Sequence, residues 1–394
     1  MNIVSFSYSI PYLIFFIFLC ILSLWEFKCI NIGKDINSIK YITICSFLFF
    51  LGLRGYIHTD WLNYYNFFNE LSTLWELRNS DYITSNFEVG FQIYSIIIKS
   101  ICPNYFFWQF FSCLIDIFFL HIFFSKYSRY YVLSYIIFLL FGGLIYEINL
   151  MRNIKSVLLF IYSLQYLHDR KFKKYIFINV LGCFFHISSV VFLPLYFVLN
   201  KKLSLKLIWS FFIIGNIIFL LQIKFIIPIV LLVSRMIGGR MELITTLYME
   251  NDLRSAAYGL TIGYIEKVFS FLLFFFNYNR LINILPFGRV VINLFFLYMM
   301  INLFFSEASI LVERLSFLFI FSYWFIYPSI LYLFRNKLKK MLFLFIIFSY
   351  GTLKLLYINS HILTRYDNLL FGIESYESRQ SKASVYIGQI FNKR

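Results

Sequence analysis

The chain is a succession of long apolar runs separated by short polar loops. Each run approaches the length of about 20 residues that an α-helix needs to cross the hydrocarbon core of a bilayer. The pattern therefore predicts a polytopic membrane protein built from α-helices. Spans are expected at Pro11 to Trp25, Tyr41 to about Ile57, Tyr105 to Phe124, Tyr131 to Tyr146, Ile154 to Leu167, Tyr258 to Phe276, Val290 to Phe305, Leu315 to Phe334 and Met341 to Tyr357.

Two stretches leave the number of crossings open. A crossing from Phe87 to Ile101 would break the alternation of charged loops, so we expect a helix that lies at the outer surface or dips in. The run from Tyr175 to Leu199 predicts either one long helix or two half-helices that meet near His186. The half-helices give about ten crossings, and the single helix, which requires a short span from Phe225 to Ile237, gives about twelve.

Composition also indicates a membrane protein. Hydrophobic residues make up 61% of the 394 residues and charged residues only 14%, whereas a soluble domain has about 25% charged residues. No repeat or Pro-, Ser- or Gly-rich linker divides the chain, which predicts a single transmembrane domain over residues 1–394. The cysteines include no Cys-x-x-Cys pair and the histidines no His-x-x-x-His pair, so we expect no metal site and no cofactor.

The net charge of +16 is explained by orientation in the membrane. Lys28, Lys34 and Lys40 follow the first apolar run, and the segment before that run carries no charged side chain. Because cytoplasmic loops are enriched in Lys and Arg, the N-terminus should lie outside and this loop in the cytoplasm. Nucleic-acid binding is therefore not indicated. On the same topology, loops 54–104 and 238–257 face outward and are expected to form the functional site.

Several arginines fall on the outward side, where basic residues oppose this orientation. They include Arg54, Arg152, Arg240 and Arg314. Arg152 also lies at a predicted helix start, where the helix dipole disfavours a cation. Since the planar guanidinium binds phosphate oxygens in pairs, converging arginines would suit a pyrophosphate.

The stretch from Arg54 to Tyr65 brings candidate chemistry to the point where a span should leave the lipid. Asp60 either caps the next helix or acts as a general base that takes a proton from a sugar hydroxyl. Trp61, Tyr64 and Tyr65 either anchor the helix in the membrane interface or stack on sugars. The combination suits a charged lipid headgroup that carries sugars.

Two further residues have more than one interpretation. His186 lies midway through an apolar run, where it is either hydrogen-bonded packing or part of a broken helix that lines a site. Glu88 ends the sequence Ser85-Asn-Phe-Glu, which matches a capping box and predicts a structural role for the carboxylate.

Taken in order, these residues resemble the Wzy/EpsG-like polysaccharide polymerases of bacterial surface-glycan pathways. The similar elements are Arg54-Gly55 with Asp60 and Tyr64-Tyr65, Glu88-Val-Gly90-Phe91, Asn149-Leu-Met-Arg152, Phe185-His186-x-Ser188 with Pro194, and Glu313-Arg314-Leu-Ser316. The chain departs from the family pattern at two positions after Arg152, where Asn153 and Lys155 replace the usual Gln and Ala.

The resemblance implies a GT-C-like helical glycosyltransferase of the bacterial inner membrane whose site faces the periplasm. Its substrates would be oligosaccharides linked to undecaprenyl pyrophosphate, which serves as carrier and leaving group. The growing glycan would pass to the non-reducing sugar of an incoming lipid-linked repeat unit. Membrane lipid is an expected partner, and a chain-length regulator protein is a candidate partner.

The resemblance also suggests roles for the candidate residues. Arg152, Arg240 and Arg314 would bind the pyrophosphate, and Arg152 would stabilise its departure as a catalytic residue. Arg54 would position the headgroup, and either Asp60 or His186 would act as the catalytic base. Trp61, Tyr64 and Tyr65 would stack on sugars.

Other functions fit parts of the pattern. An O-antigen ligase shares the chemistry but usually presents a larger outer loop than residues 238–257. A flippase or transporter for the same glycans should carry charges within its spans and internal repeats, and Asp116 and His121 are the main candidates here. A membrane acyltransferase could use His186 as a base, but the cytoplasmic loops are predominantly basic.

Overall fold

The computed structural model describes residues 4–76, 87–239, 242–243, 246 and 260–392, and in these ranges the chain is helical without any strand. The prediction of an all-α fold is therefore confirmed. The helices are α1 (Ile10–Asn31), α2 (Asn37–Phe47), α3 (Trp61–Glu70), α4 (Val89–Ile101), α5 (Tyr105–Tyr127), α6 (Tyr131–Phe138), α7 (Leu144–Ile148), α8 (Met151–His168), α9 (Phe172–Phe185), α10 (Leu205–Leu221), α11 (Ile226–Ile237), α12 (Ile262–Phe276), α13 (Tyr278–Ile284), α14 (Gly288–Phe304), α15 (Ser309–Phe317), α16 (Ser322–Leu333), α17 (Lys337–Ile358) and α18 (Tyr376–Asn392).

Membrane-spanning helices are present, which confirms a polytopic protein. Among the described residues, 4 helices are long and apolar enough to cross a bilayer, or up to 6 if each bent helix pair is one span. This number is lower than the predicted ten to twelve crossings because several apolar runs are broken into shorter helices. The spans are Phe6–Asn31, Tyr105–Tyr127, Tyr131–Ile148 and Lys337–Ile358, and the bent pairs are Leu205–Leu221 with Ile226–Met236 (94°) and Ser309–Phe317 with Ser322–Leu333 (63°).

The breaks occur at identifiable points in the chain. The second apolar run ends in a π-helical segment, Leu48–Gly52. The run from Tyr175 to Leu199 is interrupted at His186, which is extended (φ −155°), and continues as a 3₁₀ helix over Ile187–Phe197. The structure thus contains the interruption near His186, and one continuous α-helix is not formed there.

The chain divides into two compact units, although the sequence shows no linker. We call Met1–Tyr196 with Leu331–Arg394 the terminal unit and Phe197–Ile330 the central unit. Both boundaries fall inside helical segments, the 3₁₀ helix Ile187–Phe197 and α16. Composition cannot reveal such boundaries because the apolar pattern continues across them.

In each unit a buried carboxylate holds the start of another helix. In the terminal unit, Glu26 of α1 accepts hydrogen bonds from the backbone N–H groups of Tyr131 (2.6 Å) and Val132 (3.1 Å). In the central unit, Glu307 accepts from the N–H groups of Phe225 (2.9 Å) and Ile227 (3.1 Å). The first N–H groups of a helix have no partner within it, so these carboxylates stabilise α6 and α11 from a distance in sequence.

Candidate active site

The segment that precedes α3 is held by residues 363–369, which we call the C-terminal strap. The backbone N–H of His58 donates to the carbonyl of Leu363 (2.7 Å), and the N–H of Gly55 donates to the carbonyl of Asp367 (2.9 Å). His58 has a φ of +70°, in the left-handed region that non-glycine residues seldom adopt. The strap therefore fixes a turn that ends at the start of α3.

Asp60 stands at the first position before α3, but its carboxylate does not cap the helix. Its side chain is half-buried and, from the residues that the structure describes, accepts a long hydrogen bond from the hydroxyl of Thr59 (3.5 Å). Burial raises the pKa of Asp60, while the nearby charge of Arg152 acts in the opposite direction. Of the two interpretations of Asp60, the cap is therefore not observed.

The aromatic residues of α3 mostly face the protein interior. Trp61 and Tyr64 are 3% and 5% exposed. The indole N–H of Trp61 donates to the carbonyl of His58 (3.1 Å). The half-buried Tyr65 packs against Tyr376, with ring centroids 4.7 Å apart. Stacking of Trp61 or Tyr64 on a sugar stays a prediction. It would require the aromatic ring to leave its buried position.

Arg152 forms an ion pair with Glu88. Nη1 of Arg152 lies 2.5 Å from Oε2 of Glu88, and the guanidinium lies 4.4 Å from the centre of the Phe87 ring. The other carboxylate oxygen of Glu88 accepts the backbone N–H of Ile187 (3.1 Å). Glu88 precedes the first residue of α4 and makes no cap hydrogen bond, so the predicted capping role was wrong; Ser85 lies outside the described residues.

Asn149 connects this ion pair to the turn before α3. Its side-chain nitrogen lies 2.9 Å from Nδ1 of His58, and its backbone carbonyl accepts a hydrogen bond from the hydroxyl of Tyr64 (3.0 Å). Burial and the neighbouring His361 both lower the pKa of His58. Sequence reasoning noted Asn149 only as part of a motif and missed the contact with His58.

His186 lies at the break between α9 and the 3₁₀ helix that follows it. Its Nδ1 is 2.6 Å from the hydroxyl of Ser188 and accepts the backbone N–H of the same residue (3.2 Å). Gly90 allows α4 and α9 to approach closely, because an added Cβ would lie 2.7 Å from the Cβ of Phe184. This contact holds Glu88 next to the residue that follows His186.

The terminal unit therefore brings together polar residues from four segments that are far apart in sequence: 58–64, 87–90, 149–152 and 186–188. A sequence model of the EpsG family matches residues 37–370. The chain belongs to the EpsG family. No curated protein and no solved structure gives a significant match.

EpsG-family membership confirms the resemblance to Wzy/EpsG-like polymerases. It makes the chain a membrane-embedded polysaccharide repeat-unit polymerase with glycosyltransferase-like activity. Each of the four segments of the terminal unit contains residues of a different one of the five motif elements quoted above.

The other predicted arginines of this EpsG-family chain differ in their surroundings. Arg54 is only 3% exposed, and its guanidinium donates to the backbone carbonyls of Leu51 (2.5 Å) and Glu147. Arg314 lies in α15 of the central unit and is exposed. Arg240 lies outside the described residues, as does most of the 238–257 loop. Their phosphate-binding or headgroup-positioning roles stay predictions.

An apolar groove of about 190 Å³ begins one helical turn beyond Arg152. At its floor the ammonium of Lys155 bonds to the carboxylate of Asp116 and to the hydroxyl of Ser112 (2.8 Å). Lys155 is thus held by α5. The groove is lined by Tyr94, Ile115, Asp116, Phe119, Lys155, Leu158, Leu159 and Phe185.

Within the described ranges no group of three or more His, Cys, Asp or Glu side chains could hold a metal ion. Arg152 combines partial exposure with a position close enough to Asp60 for its charge to act on that carboxylate.

Proposed function

We propose that this EpsG-family protein extends a bacterial surface polysaccharide at the periplasmic face of the inner membrane. The growing glycan would be transferred from undecaprenyl pyrophosphate to the non-reducing sugar of an incoming lipid-linked repeat unit. The observation that carries this proposal is the cluster in which the Arg152–Glu88 ion pair, Asp60 and the His58–Asn149 contact meet. O-antigen ligation and glycan flipping are the alternative functions.

The reaction breaks the bond between the anomeric carbon and the phosphate oxygen, and the pyrophosphate leaves with the bonding electrons. Arg152 would stabilise the negative charge that develops on the leaving group. Its side chain is 24% exposed, and its Nε is buried and has no hydrogen-bond partner among the described residues. Glu88 and the Phe87 ring would hold the guanidinium in place before substrate binds.

The new glycosidic bond forms when an acceptor hydroxyl attacks the anomeric carbon and loses its proton. Asp60 would take this proton, because its carboxylate is not used as a helix cap and lies in the field of Arg152. A raised pKa makes Asp60 a stronger base than an exposed aspartate. His186 is the other base proposed from the sequence. The hydrogen bond from the N–H of its neighbour Ile187 to Glu88 holds this part of the chain beside Glu88, and His186 would orient the acceptor.

The lipid part of the substrate would lie in the apolar groove. The groove starts at Lys155, one turn of α8 from Arg152, and includes Phe185, the neighbour of His186 in sequence. A pyrophosphate bound by Arg152 would therefore place the first isoprene units of its carrier against Leu158 and Leu159. A chain-length regulator protein remains a candidate partner.

Deletion of the gene in its bacterial host tests the function. If the protein is a polymerase, surface glycan on a gel should collapse from a ladder to a single repeat unit on its acceptor. A complete loss of glycan from that acceptor would instead indicate a ligase or a flippase. Purified protein in liposomes should also convert lipid-linked repeat units into longer glycans and release one undecaprenyl pyrophosphate for each new linkage.

A further inference from the structure

The central unit contains a cavity of about 270 Å³ between α10, α12, α14 and α15. Its polar lining comes from three of these helices, and the fifth motif element contributes Glu313 and Ser316. The remaining polar groups are Tyr264 and Lys267 of α12 with Tyr298 and Asn302 of α14.

The polar groups of the cavity are held in fixed positions. The side-chain nitrogen of Asn302 donates to the hydroxyl of Ser316 (2.9 Å) and to the carbonyl of Tyr298 (2.8 Å). The hydroxyl of Tyr264 donates to Asn216 (2.6 Å), and its ring stacks on Phe219 with centroids 4.4 Å apart. The cavity is therefore a pre-organised site that combines a rigid aromatic wall with amide and hydroxyl groups.

The charges of the lining select among possible ligands. The ammonium of Lys267 contacts the carbonyl of Gly263 (3.3 Å), and within the described part of the chain it has no carboxylate within 4.0 Å. Glu313 contributes one negative charge to the same lining. Among the described lining residues this one cation and this one carboxylate balance each other, which disfavours a diphosphate and suits an uncharged ligand with many hydroxyl groups.

We propose that this cavity binds one uncharged sugar residue of the glycan that the enzyme extends. A sugar places C–H groups against an aromatic ring and hydroxyls against amide, ammonium and carboxylate groups. The volume is near the lower end of the roughly 300–1,000 Å³ usual for ligand sites, so one sugar fits better than a whole repeat unit. The identity of the ligand rests on the proposed function, and the cavity itself does not.

Calorimetric titration of the detergent-purified protein with the free repeat-unit oligosaccharide tests the proposal. The oligosaccharide is released from the host's own lipid-linked repeat unit by mild acid. The wild-type protein should bind it, and Lys267→Gln or Ser316→Ala should each weaken binding by roughly tenfold, since each removes about one hydrogen bond to the sugar. Ser329→Ala is the matched control, because the Ser329 hydroxyl donates to the Phe325 carbonyl of its own helix (2.9 Å) and lies outside the cavity lining.

Turnover measurements separate the source of the sugar and the role of the site. A raised KM for the incoming repeat unit with an unchanged kcat would assign the cavity to the acceptor glycan, and a raised KM for the polymeric donor would assign it to the donor. No binding by the wild-type protein, or equal binding by both cavity variants when their thermal unfolding matches wild type, would overturn the proposal. Arg152→Lys should lose turnover and keep binding, so failure of the polymerase assignment can be told apart from failure of the sugar site.

Discussion

The side-chain nitrogen of Asn149 lies 2.9 Å from Nδ1 of His58, a residue 91 positions earlier in the chain. Because the amide donates this hydrogen bond, Nδ1 of the neutral imidazole is the acceptor and Nε2 carries the proton. Protonation of His58 would place an N–H donor on Nδ1 opposite the N–H donor of the Asn149 amide. This contact therefore links the charge state of one side chain to the packing of the turn before α3 against the start of α8.

We expect stability to depend on pH through His58. Its pKa lies below the ordinary value of 6.5 because of burial and the neighbouring His361. The unfolded chain therefore binds the proton more readily than the folded chain. The contribution of the neutral His58 side chain to the free energy of unfolding is thus complete above about pH 6.5 and is lost as the pH falls through the lowered pKa. Thermal unfolding in detergent at pH 7.5 and 5.5 should show a smaller difference for His58→Asn than for wild type. His168→Asn, at an exposed site, is the control, and an unchanged difference in His58→Asn would contradict the assignment.

Asp60→Asn should reduce kcat for polymerisation by about 100- to 10,000-fold, the usual contribution of a general base. The substitution keeps the shape of the side chain and removes its ability to take a proton. Glu70→Gln, at the exposed C-terminal end of α3, should leave kcat unchanged. Initial rates with lipid-linked repeat units in liposomes provide the measurement. If Asp60→Asn retains wild-type kcat while His186→Ala loses it, the base is His186.

Exchange of the charges in the Arg152–Glu88 pair distinguishes catalysis from structure. Arg152→Glu and Glu88→Arg should each abolish chain growth, and the double variant should regain thermal stability while its kcat stays about 100- to 1,000-fold below wild type. A guanidinium at position 88 restores the ion pair, but it takes the place of the Glu88 carboxylate. It therefore cannot stabilise the leaving group as the Arg152 guanidinium would. Recovery of full polymerisation by the double variant would show that the pair is only structural.

Filling the apolar groove should affect long lipid carriers selectively. Leu159→Trp places a larger side chain in the groove lining, so KM should rise for substrates on undecaprenyl pyrophosphate and not for the same glycan on a short prenyl carrier. Ile122→Trp, at a 40% exposed position of α5 outside the groove, is the matched control. Equal effects of Leu159→Trp on both carriers would place the lipid tail elsewhere.

Two arginines that share one partner should differ in their effect on stability. Arg379 is 3% exposed and pairs with Asp367 (2.9 Å) and Glu374 (3.0 Å). Arg379→Ala removes the ion-pair partner that Asp367 has among the described residues, while Glu374 keeps Arg365 and Lys382. Loss of this buried pair should cost about 3–5 kcal/mol. Arg365 pairs with the same Glu374 at 2.8 Å but is 45% exposed, so Arg365→Ala should cost about 0–1 kcal/mol. Denaturant unfolding in detergent measures both values, and equal losses would contradict the argument.

The sequence predicts the helices better than the contacts between them. The expected span from Tyr105 to Phe124 is observed as Tyr105–Tyr127, because a long, mostly apolar run has no stable alternative to a helix in lipid. The role of Glu88 was misjudged because a capping box is a local pattern, whereas its partner Arg152 is 64 residues away. The burial of Arg54 was not predictable either, since it bonds to backbone carbonyls, which every residue possesses.

The hydroxyl of Tyr366, in the strap, donates to the carbonyl of Phe50, 316 positions earlier in the chain. A ribosome that adds about 5–20 residues per second needs roughly 15–60 s to synthesise the intervening chain. During that time the nascent protein already holds its first membrane helices but cannot fix the turn at His58. Enzymatic competence therefore arises late in biosynthesis, after the strap residues have emerged, and a prematurely released fragment would be inserted but inactive.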